Sequence, residues 1–595
     1  MLTQLTRAAS GRGRRPAGTA RRAVPPAAFL AVAAIVAAVG AAGAGSPDPA
    51  QAKKKKDQRP NVVVVETDDQ TAASLAVMDE VNSRLGRYGA TFENSFVNFS
   101  LCCPSRATFL TGQYAHNHGT MGNGPPEGGF GKFNADHGGN TLPGWLQASG
   151  YYTAQVGKYL NGYGSGGTEA FVPAGWSEWR AGTEGTTQQV YGYTLNENGS
   201  LVQYGEDAAE FKQDVITAKA VDVINRRAPT KQPFFLDVNY TAPHSGGPNP
   251  NPNPPGNCEN TAKPAPRHAS AFNGAPLPQP ASFNEADVSD KPRDIRRMDP
   301  ITNAERAEIA RHYRCRIESL LSVDEGVARI VEALRATKEL GDTLVIFTSD
   351  NGFFHGEHRV QNGKVRHYEP STRVPLVIRG PGIPENKTVR ELVVNADLAS
   401  TILDAAGVKP GLAQDGRTLL GVAAKPNKER GREILLESQT FVGIRNACYK
   451  YVEHTAGVNA GAVELYDLEQ DPDELQSQHA NPAYATVRAQ LVARLEALRD
   501  CSGAGCRTKP SLKLKVKERR GCAKRGARAK VKGKDSKRLL GVSFEVDGRG
   551  DGSDGNGPFS EKLGKLRGKR AKVVATADLI DGRRVTLDRD VRVCR

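Results

Sequence analysis

The run Asn61-Val-Val-Val-Val-Glu66 is apolar at every central position rather than at alternate ones. That pattern predicts a strand buried on both faces, as in a parallel sheet. Tyr152-Thr-Ala-Gln-Val156, Phe234-Phe-Leu-Asp-Val-Asn239 and Leu344-Val-Ile-Phe347 predict three more strands. Each run is followed by polar residues: Asp68-Asp69, Lys158 after Gly157, His244 after Pro243, and Asp350-Asn351. Helical patterns lie between the strands. Thr141–Ala148 and Ala208–Asn225 are amphipathic, and Ala304–Leu340 is long, with Leu320, Leu321, Val323, Val327, Ile330 and Leu334 on its apolar face. The alternation predicts an α/β fold, whose ligand sites lie beyond the carboxyl ends of the strands. Four distant segments are therefore expected to deliver polar residues to one edge.

The pattern changes twice further on. Residues 245–300 are rich in Pro, Asn and Gly and follow His244 directly, which predicts either a wall of the substrate pocket or a surface insertion. From about Gly431 the apolar runs shorten to Ile434–Leu436, Ala447–Glu453 and Leu465–Leu468, before an amphipathic helix over Tyr484–Arg499. We therefore expect a catalytic domain over 58–425 and a smaller α+β subdomain over 426–500. A linker over 501–511 comes next. Residues 512–595 then alternate apolar and basic positions, as in Leu512-Lys-Leu-Lys-Val516, Val573–Ala577 and Val585–Val593, between Gly/Asp turns. That reads as a small basic β-sandwich.

Charge is spread unevenly. Residues 507–595 hold 27 Lys/Arg and 11 Asp/Glu, a net of +16 in a chain whose total is +15. The first 57 residues carry +8, which leaves −9 for 58–506. An acidic body with a basic tail suggests contact between the tail and a polyanion or negative surface; the alternative is a solvated basic module. The tail has no nucleic-acid recognition motif and no interleaved aromatics, which argues against nucleic acid as a partner. At the other end, six arginines precede residue 23, an Ala/Val-rich stretch runs from Ala27 to Ala44, and Ala50-Gln51-Ala52 precedes a basic linker over 53–57. Residues 1–52 are read as a cleaved signal peptide in preference to a membrane anchor, so the protein is expected to be exported, secreted or associated with the cell surface. Nine cysteines suit that setting. Cys501 and Cys506 could close a small loop, and Cys522 and Cys594 bracket the last region; spacing does not pair Cys103, Cys258, Cys315 or Cys448.

Candidate chemistry gathers at the strand ends. Asp68, Asp69, Asp350 and Asn351 offer oxygen ligands only, which suits calcium better than zinc; the alternative is that they cap turns. Cys102-Cys-Pro-Ser-Arg106 leads into Ala-Thr-Phe-Leu-Thr-Gly112. Pro104 suits the first position of a helix and Gly112 its end, which would put Cys102 just before a helix N-terminus, where anions are favoured. Arg106 lies one turn on. A vicinal cysteine pair in a loop is the plainer alternative. Lys158, His244 and Lys364 could neutralise an anionic ester and protonate a leaving alcohol.

The C-x-P-S-R…T-G run resembles the signature of type I, formylglycine-dependent sulfatases of the alkaline phosphatase superfamily. The segments around Asp68-Asp69, Gly157-Lys158, Ala242-Pro243-His244, Ser349-Asp350-Asn351-Gly352, Tyr368-Glu369 and Glu464-Leu-Tyr-Asp-Leu come in that family's order. Together they cover about residues 58–500. The Cys-Cys-Pro-Ser-Arg and Gly-Lys-Tyr-Leu-Asn variants look most like N-acetylglucosamine-6-sulfatases.

The resemblance implies an alkaline-phosphatase-like α/β/α sandwich with a smaller α+β subdomain. It implies one Ca2+ held by Asp68, Asp69, Asp350, Asn351 and position 102, and oxidation of Cys102 to formylglycine (3-oxoalanine) by a formylglycine-generating enzyme. Cys102, Arg106, Lys158, His244 and Lys364 would be catalytic, with His244 or Lys364 as the leaving-group acid. The substrate class would be sulfated sugars such as N-acetylglucosamine 6-sulfate, with aryl or other alkyl sulfates as alternatives. Two departures stand out. Lys158-Tyr159-Leu160 replaces the Lys-x-His of many sulfatases, with Asn161 a partial substitute, and Phe353-Phe354 replaces Tyr-His after Asp-Asn-Gly, which displaces His355 by one. The rival readings are a phosphodiesterase or phosphatase on the same fold and a non-catalytic polyanion-binding protein.

Overall fold

The computed structural model describes residues 57–246, 258–426, 431–507, 510–519, 521–555 and 557–594. The expected signal peptide and part of the Pro-rich insertion lie outside these residues. A ten-stranded sheet organises the catalytic region. Its strands are β1 (Asn61–Thr67), β2 (Ala90–Phe92), β3 (Tyr152–Gly157), β4 (Glu178–Gly182), β5 (Thr194–Glu197), β6 (Ser200–Gln203), β7 (Phe234–Asn239), β8 (Thr343–Ser349), β9 (Leu376–Arg379) and β10 (Lys387–Val389), in the order β10-β2-β9-β8-β1-β7-β3-β4-β5-β6. The central strands β8, β1, β7, β3 and β4 are parallel. β9 joins antiparallel, as do β5 and β6 at the other margin.

β1 explains why the sheet needs two covers. Val62 and Val64 pack into a core with Cys103, Ala107 and Leu110 of α1 (Cys102–Thr111). Val63 and Val65 pack into a separate core with α2 (Lys212–Arg227) and α3 (Asn303–Ala336). Successive side chains of a strand point to opposite faces, so four consecutive valines require apolar layers on both sides. This is the expected α/β/α sandwich. α3 starts where Thr302 and Glu305 form a capping box. It also carries Cys315, whose disulfide to Cys258 ties the described part of the 245–300 segment to the core.

A four-stranded antiparallel sheet comes next in the chain: β11 (Ile434–Glu437), β12 (Phe441–Arg445), β13 (Tyr449–His454) and β14 (Val463–Asp467). A helix over Ala485–Arg499 packs on it through Leu491, Leu495 and Leu498. The β-rich tail contains a three-stranded and a four-stranded sheet around a core that includes Leu514, Val531, Phe544 and Val573. Disulfides join Cys501 to Cys506 and Cys522 to Cys594. Cys102, Cys103 and Cys448 are in no disulfide. Among the described residues, no helix is long and apolar enough to cross a membrane.

Candidate active site

Register sets the four strand ends level. Glu66 of β1 lies across from Asn239 of β7 and Thr348 of β8, and Gly157 of β3 lies beside Asn239. Backbone bonds then tie the emerging segments together. Asp68 N donates to Ala242 O at 3.2 Å and Asp350 N donates to Thr67 O at 3.1 Å. α1 begins at Cys102, with Leu101 as its N-cap, and ends at Gly112 in the left-handed region, φ 69°. Cys102 is thus the first residue of the helix, not the one before it, and Pro104 is the third. Amides of the first turn have no helical carbonyl partner, so the proline is accommodated two positions later than expected without losing a bond.

One ligand atom each from Asp68, Asp69, Cys102 and Asp350 lie within 4.8 Å of one another. All four residues are buried. Asn351 joins them: its Nδ2 donates to Asp69 Oδ1 at 2.5 Å, while its Oδ1 is buried without a partner. Cations surround these oxygens. Lys158 donates to Asp68, and Lys364 donates to Asp69 and, at 2.8 Å, to Cys102 Sγ. His244 Nε2 stands 3.7 Å from Asp69 Oδ2. Arg106 Nε donates to Asp350 Oδ2 and its Nη1 to Asn239 Oδ1, both at 2.8 Å, and Nη1 also pairs with Glu66 at 3.0 Å. All nine residues expected at the site from the sequence meet here.

They differ in access. The Lys158 side chain is 2% exposed, whereas those of Lys364 and His244 are 13% and 22% exposed, so a solute reaches the cluster from the side of these two. Backbone strain marks two places. Asp69 has φ 68° and Val365, next to Lys364, has φ 67°. A β-branched residue in this region costs on the order of 1–3 kcal/mol and persists only where its surroundings enforce it. Val365 N is held by Ser100 O at 3.2 Å.

Sequence reasoning missed four participants: Glu66, Asp237, Asn239 and Arg316. Arg316 Nη2 donates to Asp69 O at 2.6 Å, and its guanidinium lies 3.9 Å from the Phe353 ring centroid. The signal was present, because Arg316 falls on the same stripe of α3 as Leu320, Val323 and Val327. Tyr159 and Leu160, which replace the usual Lys-x-His, are core residues; Tyr159 packs edge-on against Trp179 at 4.9 Å. Asn161 Oδ1 is buried without a partner.

Electrostatics reflect this packing. Burial opposes ionisation of Asp68, but Lys158, followed by His244, Lys364 and Arg106, holds its carboxyl well below the usual range. Asp69 is lowered in the same way, chiefly by Lys364 and His244 against burial. Burial, together with Asp68, raises Asp350 against the pull of Arg106. Burial and Asp68 push the Cys102 thiol up to about 12, so the encoded side chain is a neutral thiol and a weak nucleophile. Asp237, beneath the site on β7, is raised by burial to about 7. Its folded value lies above its unfolded one, so its contribution to stability is lost as pH rises from about 4 through 7. Asp237→Asn is therefore expected to remove this slope and, at pH 8, to be more stable than the parent by on the order of 4 kcal/mol, read from denaturant midpoints across that pH range.

The donor set also fits a cation. Three carboxylates and an amide oxygen lacking a protein partner suit a hard oxygen-seeking ion, with the His244 imidazole at the margin of the group, within 4.8 Å of Asp68 and Cys102.

Comparison with known proteins places this geometry in a family. The sulfatase family model matches residues 60–408, and the model for the C-terminal region of N-sulphoglucosamine sulphohydrolase matches 356–501. The human N-acetylglucosamine-6-sulfatase is 32% identical over 76% of this chain and 86% of its own length. The Caenorhabditis elegans homologue of extracellular sulfatase Sulf-1 is 34% identical over 63% of this chain, which spans only 50% of that relative's length. A structure solved in complex with its substrate, D-glucosamine-2-N,6-O-disulfate, superposes with a TM-score of 0.57 at 24% identity, over 76% of this chain and 98% of that one; at that identity it shows a shared fold. With its strand-end cluster, its ten-stranded sheet and these matches, the chain belongs to the sulfatase family and is a sulfuric ester hydrolase.

Proposed function

We propose that this enzyme hydrolyses sulfate monoesters of sulfated sugars, N-acetylglucosamine 6-sulfate among them, after Cys102 has been oxidised to formylglycine by a maturation enzyme. The observation that carries the reading is the meeting of Cys102 with Lys364 and with the Asp68–Asp69–Asp350 carboxylates in one buried cluster. The name of the human relative supports the sugar class, and that of the nematode relative supports action outside the cell.

Asp68, Asp69, Asp350 and Asn351 would hold a calcium ion beside position 102. Bound there, the ion would supply positive charge to a sulfate oxygen and favour the deprotonated form of the nucleophile. The hydrated formylglycine offers two hydroxyls on one carbon, one to attack sulfur and one whose deprotonation allows sulfate to leave. This chain's own groups do the rest. Lys158 and Lys364 neutralise the sulfate oxygens and align the ester for in-line displacement. His244, from the open side, adds a donor to the same oxygens. His244 or Lys364 delivers the proton that the leaving alcohol requires. Arg106 and Arg316 fix the carboxylates and the Asp69 backbone without facing the ester. Water enters, and the free alcohol and inorganic sulfate leave.

Side-by-side assays with sulfated monosaccharides and matched phosphate esters test the reading: sulfate release is expected, and preference for phosphate would overturn it. Calcium has its own readout. Chelation should lower the unfolding temperature, and Ca2+ at about 100 times its Kd should restore about 2.7 kcal/mol of stability, measured by thermal unfolding at matched ionic strength.

A further inference from the structure

The tail adds an observation that the catalytic site does not use. In its three-stranded sheet, Leu512–Val516 pairs with Ala527–Gly533, and the latter with Ser560–Leu563. Register sets Lys513 opposite Lys532, Lys515 opposite Lys530, and Arg528 opposite Lys562. These side chains alternate with Leu512, Leu514, Ala529 and Val531, which are in the core, so all six share the outer face. Five are exposed and Lys530 is half-buried. Glu561 is opposite Ala529 and so belongs to the inward register.

Like charges directly opposite one another destabilise an antiparallel pair. A face built from three such pairs opposes the fold that carries it. The other sheet of the same module provides the contrast. Its outer face mixes signs: Lys572 pairs with Asp588 at 2.8 Å and Arg584 with Asp578. Solvation alone would not require one sheet to exclude acids while its neighbour interleaves them. Nor is the basic face used to dock the module. Docking runs through buried Arg583, which pairs with Glu433 at 3.2 Å, and through Asn446 Nδ2, which donates to Asp581 O at 2.6 Å; Asp581 and Arg583 lie between strands of the other sheet.

We propose that this face binds a linear sulfated polysaccharide, and so tethers the enzyme to the polymer that carries its ester substrate. Basic side chains repeat every two residues along a strand, about 7 Å, and every strand across the sheet, about 5 Å, a grid that meets closely spaced anions on an extended chain. The face has no aromatic ring on which a base could stack, which disfavours single-stranded nucleic acid. The glycan assignment rests on the sulfated-sugar reading above; the anion-binding face does not.

The test uses the full chain and immobilised heparin. The parent should be retained at about 0.1 M NaCl. Lys515→Gln/Lys530→Gln/Lys532→Gln should elute at lower salt, with a slope of log affinity against log salt shallower by about 2 to 3. Lys572→Gln/Arg584→Gln, on the mixed face, should elute with the parent. Turnover of a small sulfate ester should be unchanged in both variants, which certifies the fold. Equal retention of the triple variant, or no retention of the parent, would overturn the proposal. Tighter binding to duplex DNA or to anionic vesicles than to heparin would overturn the glycan assignment. Because a Cys102→Ala protein should bind heparin as the parent does, failure of the catalytic reading and failure of the tether are separately visible.

Discussion

Cys102→Ser should lose at least about 10^4-fold in sulfate-ester turnover while unfolding within about 1 kcal/mol of the parent. The fold is expected to survive because the change removes little packing volume: Sγ hydrogen-bonds Asp68 and Lys364, and the serine hydroxyl can donate to and accept from the same partners. Activity is expected to fail for a chemical reason. A serine could be sulfated once, but with a single hydroxyl on its carbon it has no route by which to expel sulfate. A stoichiometric burst followed by a stop, with the peptide around residue 102 heavier by one SO3 group, is the specific signature. Parental turnover in this variant would sink the role of residue 102. So would finding, in active parent protein from its native host, only the unmodified thiol.

The sequence made this centre legible because its residues sit where strand geometry puts them. A run of four valines can only be a doubly covered strand, and the residues just beyond its carboxyl end lie at the sheet's ligand edge. β3, β7 and β8 were readable on the same ground. The strands that escaped are short or interrupted. β9 spans Leu376–Arg379 directly after Pro375, β2 has three residues and β10 three, too few for any period to emerge. They exist because β8 needs a partner on its outer side, a tertiary demand no local pattern records. The same limit hid Arg316 and Glu66. A charged side chain in an apolar stripe reads as an exposed interruption until the opposite charge that compensates it is located, and that partner lies far away in sequence. Two disulfides, Cys501–Cys506 and Cys522–Cys594, join cysteines that the sequence already set together, whereas the Cys258–Cys315 pairing was illegible because it depends on where the 245–300 segment folds back on α3.

Arg106→Ala should destabilise the protein by about 3–5 kcal/mol and take activity with it. The guanidinium is buried and bonds Asp350, Asn239 and Glu66 at once. Removing it leaves two carboxylates in the dry interior without their compensating charge. Burial already pushes the Glu66 carboxyl up even against the pull of Arg106, so loss of that cation would drive it further towards the neutral acid. Asp350 would shift the same way, since burial and the charge on Asp68 oppose its ionisation and Arg106 is the first group holding it down. A protonated Asp350 is a poorer cation ligand, so the variant should also need more calcium for half-maximal thermal stabilisation. Arg106→Lys separates the two contributions. It restores the charge but not the planar fork that reaches Asp350 and Asn239 together, so it should recover stability more fully than activity. Equal stability of Arg106→Ala and the parent across pH 5–8 would show that the carboxylates are balanced by other groups and that the arginine is not the keystone of the cluster.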